Sequence, residues 1–221
     1  ILYLANLIAS QGILVRLHLF LDGRDVPPRT AISDIMQLEL VLDKRVTVAT
    51  LIGRFFSMDR DNRWDRVEKA YRLLAEGEGE NYETILDAVQ SRYSIGETDE
   101  FIGPCVIGDY DGFSGDGDGL FFMNFRSDRA RELLLALCDP KFNKFQRSKN
   151  FKLVSQCGLI EYSNEHMDFM KAVFSQDRIE NTLGQYLSLN NKTQFRLSET
   201  EKYPHVTFFF NSGVELSLIH I

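Results

Sequence analysis

The chain has 221 residues, of which 44% are hydrophobic and 12% aromatic, enough to form a substantial core in one or two domains. Charged residues make up an ordinary 26%, which excludes wholesale disorder. The net charge of −7 argues against nucleic acid or an anionic membrane as the main partner.

The cysteines Cys105, Cys138 and Cys157 are scattered without CxxC spacing, so the sequence predicts a reducing compartment and no disulfide framework. No apolar run approaches the roughly eighteen residues that a membrane helix needs, and no signal peptide is visible. The chain opens at Ile1, without a methionine and within a predicted helix, so we expect a fragment of a longer protein.

Helical and strand patterns alternate along the chain. Apolar spacing predicts helices at residues 2–11, 31–43, 63–75, 82–93 and 128–137, the last of them capped by Ser127. Apolar and β-branched runs predict strands at residues 13–21, 46–52, 120–125, 151–160 and 206–210, with a glycine-rich loop at 108–119. The alternation favours a layered α/β fold with a largely parallel sheet and helices on both of its faces.

A charged turn follows the first predicted strand, where Leu21 gives way to Asp-Gly-Arg-Asp at residues 22–25. Ligands of open α/β sheets bind beyond the carboxyl ends of the strands, which makes this turn a candidate wall of a pocket. Asp and Gly are also favoured in ordinary strand-to-helix turns for backbone reasons. The turn alone does not decide between the two interpretations.

Arginines follow the other predicted strands in the same way. Arg54 and Arg60 come after the second strand, and Arg126 and Arg129 come after the third. Any one of them could be solvated surface, but strands that share an edge would bring them together. Because the guanidinium fork pairs with carboxylate and phosphate, and helix starts favour anions, the pattern predicts an anion site.

The remaining motifs indicate no metal site and no catalytic nucleophile in this chain. The acidic loop at residues 108–119 resembles a calcium loop in composition only, because its spacing misses the EF-hand register. The histidines have no ligand spacing, and His18 is predicted to lie along a strand as a core or hydrogen-bonded residue. Trp64 is predicted to be a packing residue.

Four longer motifs carry a family resemblance. They occur in order as HLFLDGRDVPPRTA, IGRFFSMDRDNRWDRVEKAYRLL, FFMNFRSDRAREL and SETEKYPHVTFFFNSGVE. In this order they resemble cofactor-independent phosphoglycerate mutase, and the likeness runs to about Glu215. The family is related to alkaline phosphatases and interconverts 2-phosphoglycerate and 3-phosphoglycerate through a phosphoserine intermediate, using two manganese ions and no 2,3-bisphosphoglycerate.

The resemblance implies a domain organisation for this chain. Residues 1–178 would form the inserted substrate-binding domain, and residues 179–216 would return into the alkaline-phosphatase-like metal-binding α/β domain. Residues 217–221 have no assigned role. The serine nucleophile and the manganese ligands would lie outside this chain, so we expect the chain alone to be inactive.

The resemblance also implies substrate-binding residues. They are Arg24, Asp25, Arg54, Arg60, Arg126, Arg129 and, from the metal-domain side, Lys202. The expected partner is the small molecule 2-phosphoglycerate or 3-phosphoglycerate, with no nucleic acid or membrane, in a cytoplasmic monomer. The alternative is a stand-alone anion-binding module without catalysis.

Overall fold

A computed structural model of the chain describes residues 1–115, 117–148, 151–175 and 180–212. The chain divides into two compact units, Ile1–Ser175 and Gln176–Ile221. The resemblance places the domain boundary after residue 178, within a stretch that the described ranges leave out. The predicted tail, residues 217–221, also lies outside the described residues.

The first unit contains a four-stranded sheet. Its strands are β1 (Val15–Leu21), β2 (Val46–Gly53), β3 (Glu80–Tyr82) and β4 (Cys105–Ile107), in the order β1-β2-β4-β3. The pairs β1–β2 and β3–β4 are parallel, whereas β2 and β4 run antiparallel. Leu21 pairs with Gly53, so β1 and β2 end side by side.

A second sheet of three strands lies in the same unit. It consists of β5 (Gly119–Phe122), β6 (Ser155–Ile160) and β7 (Lys171–Phe174), in that order and all parallel. The rings of Phe20 in β1 and Phe122 in β5 are 6.0 Å apart. Because both residues stand near the carboxyl ends of their strands, the two sheets bring those ends close together.

Helices cover both faces of the first sheet. They are α1 (Leu2–Ser10), α2 (Ala31–Glu39), α3 (Arg54–Ser57), α4 (Trp64–Tyr71, extended by the π-helical turn Arg72–Glu76), α5 (Ile85–Ser94) and α6 (Arg131–Cys138). Val48 and Leu51 of β2 pack in one buried cluster with α2 and α5, and Ala49 and Ile52 pack in another with α4 and α6. The predicted α/β class, with a largely parallel sheet between helices, is confirmed.

The second unit is built from short helical segments in its described part. They are α7 (Leu183–Leu189), the 3-10 turn Thr200–Lys202, α8 (Tyr203–Val206) and the 3-10 turn Phe209–Asn211. The predicted strand at residues 206–210 is wrong. Thr207 N donates to Tyr203 O at 3.2 Å, and Asn211 N donates to Thr207 O at 3.1 Å. These local bonds override the strand preference of the β-branched and aromatic side chains, which depends on a pairing partner.

Several predicted boundaries also change. Ser127 does not cap α6, because a turn in which Ala130 N donates to Ser127 O separates it from the helix start at Arg131. Helix α2 ends at Glu39 rather than at residue 43. Strands β3, β4 and β7 have three or four residues each, too few for a visible alternation, and were not predicted. Within the described ranges, no helix combines the length and apolar character that a membrane crossing requires.

Candidate anion-binding site

The turn at residues 22–25 is shaped by its first carboxylate. Asp22 Oδ1 accepts hydrogen bonds from the backbone N–H groups of Arg24 at 3.2 Å and Asp25 at 3.1 Å. Gly23 adopts a φ of +66°, and a Cβ at this position would stand 2.6 Å from the Glu100 nitrogen. The backbone of this turn therefore favours Asp22 and Gly23, as the ordinary-turn interpretation says. The same turn also lines the site around Arg54.

Arg54 follows β2 directly and lies beside this turn because Leu21 and Gly53 are in register. Its Nη1 is 2.5 Å from Asp22 Oδ1 and 2.8 Å from Asp25 Oδ2, and only 6% of its side chain is exposed. Burial disfavours the charge of Arg54, but the hydrogen bonds to Asp25 and Asp22 outweigh it and raise the pKa of the guanidinium. The cation is thus fixed in place between two carboxylates.

Asp25 connects Arg54 to the arginine that follows β5. Arg126 Nη1 lies 3.7 Å from Asp25 Oδ2. The hydrogen bond from Arg54 is the main cause that lowers the pKa of Asp25, and 59% of the Asp25 side chain is exposed. Asp25 is therefore an ionised hydrogen-bond acceptor that solvent can reach, and the structure brings it together with Arg54 and Arg126.

Arg60 and Arg129 form a neighbouring group. Arg60 Nη1 lies 2.6 Å from Asp128 Oδ2, and Arg129 Nη1 donates to the Met58 carbonyl at 3.1 Å. Burial, followed by the charge of Arg60, lowers the pKa of Arg129, and the charges of Arg54 and Arg24 act in the same direction. Arg60, Arg54 and Arg24 therefore lie near enough to Arg129 for their charges to act on it.

Buried acidic side chains shape the loop that carries Arg60. Asp59 Oδ1 accepts from the backbone N–H groups of Asp61 at 2.9 Å and Arg63 at 3.0 Å. Glu132 Oε1, on α6, accepts from Asn62 N at 2.9 Å. The sequence pattern did not single out these acids, because a buried acid and a solvated one look alike in a sequence.

Two predicted residues have other surroundings. Arg24 Nε and Nη2 both lie 2.8 Å from Glu100 Oε1, so a glutamate 76 positions away holds this arginine. Lys202 belongs to the second unit, where it ends the turn Thr200–Lys202. Its role beside the arginines is a prediction that rests on the resemblance.

The residues that the structure describes do not fit a manganese site. Among those that the structure describes, no group of three or more His, Cys, Asp or Glu side chains could hold a metal ion. In the acidic loop, Asp118 Oδ2 accepts from the backbone N–H of Ser114 at 2.7 Å and from its hydroxyl at 2.9 Å. The Asp118 carboxylate is therefore hydrogen-bonded within its own loop.

The predictions for two ring side chains are confirmed. His18 lies on β1 with Nδ1 2.8 Å from Thr50 Oγ1, and burial is the main cause that lowers its pKa to about 4. Trp64 packs against Phe142, with ring centroids 5.5 Å apart. Both side chains are partly buried and pack against other rings, away from the anion site.

Comparison with known proteins gives consistent matches. Residues 1–164 match the family described as BPG-independent PGAM N-terminus. Two relatives are named 2,3-bisphosphoglycerate-independent phosphoglycerate mutase. The one from Roseobacter denitrificans is 46% identical over 213 residues, covering 96% of this chain and 42% of the relative. The one from Agrobacterium fabrum is 48% identical over 210 residues, covering 95% of this chain and 41% of the relative.

A solved structure is similar as well. Crystallised Leishmania mexicana phosphoglycerate mutase, described at low cobalt concentration, has a TM-score of 0.80 and 28% identity, over 95% of this chain and 40% of that one. The chain thus spans about two fifths of the length of the curated relatives it matches.

Proposed function

The chain belongs to the BPG-independent phosphoglycerate mutase N-terminal family, and from that premise we propose that it supplies the substrate clamp of a phosphoglycerate mutase. The intact protein would interconvert 2-phosphoglycerate and 3-phosphoglycerate in glycolysis, as the family resemblance implies. It would do so without 2,3-bisphosphoglycerate, in keeping with the names of its relatives. The observation that carries the proposal is the buried Arg54, held between Asp22 and Asp25 with Arg126 close by.

The charges of the substrate suit this arrangement. Phosphoglycerate carries a phosphate and a carboxylate, so it offers two separate anionic groups. Both groups can be held through charge-assisted hydrogen bonds by Arg24, Arg54, Arg60, Arg126 and Arg129, and a fork that is already fixed loses little entropy on binding. Positive charge in place before the reaction also stabilises the charge that develops during phosphoryl transfer.

Asp25 is proposed to bind the glycerate hydroxyl. Its carboxylate is an acceptor only, its pKa is held low by Arg54, and more than half of its surface is exposed. A hydroxyl of the glycerate can donate to it, and Asp25 would help to move that proton when the oxygen gains or loses the phosphoryl group. Lys202 would steady the phosphoryl group as a point charge in the intact protein.

The chemical step itself is proposed to use residues outside this chain. A serine of the metal-binding domain would take the phosphoryl group, the glycerate would reorient, and the group would return to the other oxygen. The manganese ions of that domain would have their ligands there, since the described residues do not fit a metal. We further propose a cytoplasmic monomer that acts on this small molecule and binds neither nucleic acid nor membrane.

Product formation by the intact protein tests the proposal. The protein that carries this segment is incubated with 3-phosphoglycerate and Mn²⁺, without 2,3-bisphosphoglycerate, and followed by ³¹P NMR. We expect the 2-phosphoglycerate signal to grow to a constant ratio, and an Asp25→Asn variant to reach it much more slowly. Binding of 3-phosphoglycerate without any product would instead favour the stand-alone anion-binding module.

A further inference from the structure

A short turn between α5 and β4 is fixed against the carboxyl ends of β1 and β2. Gly53 N, at the end of β2, donates to the Ile102 carbonyl at 2.8 Å, and the rings of Phe55 and Phe101 are 5.1 Å apart. A Cβ on Gly53 would overlap the carbonyl of Glu100. The 3-10 turn Asp99–Phe101 therefore occupies space that glycine leaves open beside the arginine site.

The same turn is also fixed to the start of α2. Asp99 Oδ2 accepts from the backbone N–H groups of Thr30 at 2.9 Å and Ala31 at 3.2 Å, and Asp99 Oδ1 accepts from the Tyr93 hydroxyl. Asp99 N donates to the Pro28 carbonyl at 3.0 Å. Because strand, helix and turn are joined in this way, the backbone of Glu100 is held on both sides.

The side chain of Glu100 in turn holds Arg24. This side chain is largely buried, and its Oε1 lies 2.8 Å from both Nε and Nη2 of Arg24, whose own side chain is 45% exposed. Because both N–H groups on one edge of the guanidinium share this oxygen, Glu100 sets the direction in which that edge points. Without these contacts, an exposed arginine on a turn would sample several rotamers.

We propose that Glu100 is a positioning residue, which orients Arg24 for binding one anionic group of the substrate. The inference rests on the proposed function of Arg24 in the clamp. Glu100 itself contributes a negative charge beside a site for an anion, which on electrostatic grounds alone weakens substrate binding. The two effects of removing this charge therefore have opposite signs: lost positioning lowers kcat/KM, and lost repulsion raises it.

The test uses the intact mutase that carries this segment, as Arg24→Ala, Glu100→Gln and the double variant. Steady-state rates with 3-phosphoglycerate give KM and kcat, and thermal unfolding gives Tm. We expect Glu100→Gln to lower kcat/KM about tenfold, mainly through a higher KM and with little change in Tm. In the Arg24→Ala background the same change should have an effect within about twofold, because Glu100 acts through Arg24.

A matched control is Glu80→Gln, which removes one negative charge and an ion pair with Arg92 outside the site. We expect it to leave kcat/KM unchanged. Glu100→Asp, which keeps the charge but shortens the side chain, should also raise KM and carries the test if Glu100→Gln fails to fold.

Three results would overturn the inference. Glu100→Gln could leave kcat/KM unchanged or raise it while Arg24→Ala lowers it, in which case the proposed role of Arg24 stands and that of Glu100 fails. Glu100→Gln could lower kcat/KM by the same factor with and without Arg24→Ala, or by the same factor as Glu80→Gln. Either result would show an effect that does not act through Arg24. Full activity of Arg24→Ala would remove the role of Arg24 and the inference with it.

Discussion

Arg60 Nη1 lies 2.6 Å from Asp128 Oδ2, and only 10% and 11% of these two side chains are exposed. Removing one partner of such a pair leaves the other charge in a poorly solvated place. We expect Asp128→Ala to lower the free energy of unfolding by about 3 kcal/mol, as measured by urea denaturation of this chain. Arg45→Ala is the control, since its pair with Asp43 is exposed on both sides and should be worth less than about 1 kcal/mol. If Asp128→Ala and Arg45→Ala lowered the free energy of unfolding equally, the structural importance of the buried pair would be contradicted.

Glu132 gives the chain a specific pH dependence. Burial is the main cause that raises its pKa to about 7 from an ordinary value near 4.5, and the charge of Asp59 adds to it. Between these two values the folded chain keeps a proton that the unfolded chain has released, so this contribution to stability is lost as the pH rises from about 5 to above 7.

We expect Glu132→Gln to flatten this slope of unfolding free energy against pH, because the amide does not titrate. Exposed Glu83→Gln is the comparison and should leave the slope unchanged. The measurement is a series of urea unfolding curves at pH 5, 6, 7 and 8. A slope that persists in Glu132→Gln would show that another group causes it.

The sequence predicted the meeting of Arg54, Asp25 and Arg126 from the ends of predicted strands. That argument assumed one shared sheet edge, whereas β5 belongs to a second sheet that approaches β1 through Phe20 and Phe122. The arginines converge because parallel strands of both sheets end in the same region. The prediction of their proximity is thus correct for a different topological reason.

The acidic partners of Arg24 and Arg60 could not be predicted. Glu100 is 76 positions from Arg24, and Asp128 is 68 from Arg60, so only the tertiary fold brings them together. Arg92 of α5 is only 11% exposed, and its Nη2 lies 2.8 Å from Glu80 Oε2. A helix pattern shows which face is apolar, but it does not show which charges on the other face are paired and covered.

Catalysis is expected to need more than these 221 residues. The resemblance places the phosphoryl-accepting serine outside this chain, and the chain spans 42% of its Roseobacter relative. The purified chain with 3-phosphoglycerate and Mn²⁺ should therefore give no 2-phosphoglycerate in an enzyme-coupled assay. Turnover above that of a mock purification would show that the chain holds its own nucleophile.

The chain is also expected to hold no tight transition metal. In the described part of the structure no cluster of metal-ligating side chains is found, and Asp118 is engaged within its own loop. Elemental analysis after loading with Mn²⁺ or Zn²⁺ and dialysis should give well under one equivalent per chain. A stoichiometric ion that disappears on Asp118→Ala would contradict this interpretation of the acidic loop.

The most direct test of the proposed clamp is kcat/KM for 3-phosphoglycerate of the intact protein that carries this segment. Its Arg54→Ala variant is compared with Arg45→Ala on the exposed surface. Losing charge-assisted hydrogen bonds to a bound anion should cost about 2–4 kcal/mol, or roughly thirty- to a thousand-fold in kcat/KM. Arg54→Lys should recover only part of this, because a point charge cannot replace the planar fork. Arg45→Ala should be nearly neutral. If Arg54→Ala and Arg45→Ala have the same kcat/KM while circular dichroism shows both folded, Arg54 does not hold the substrate.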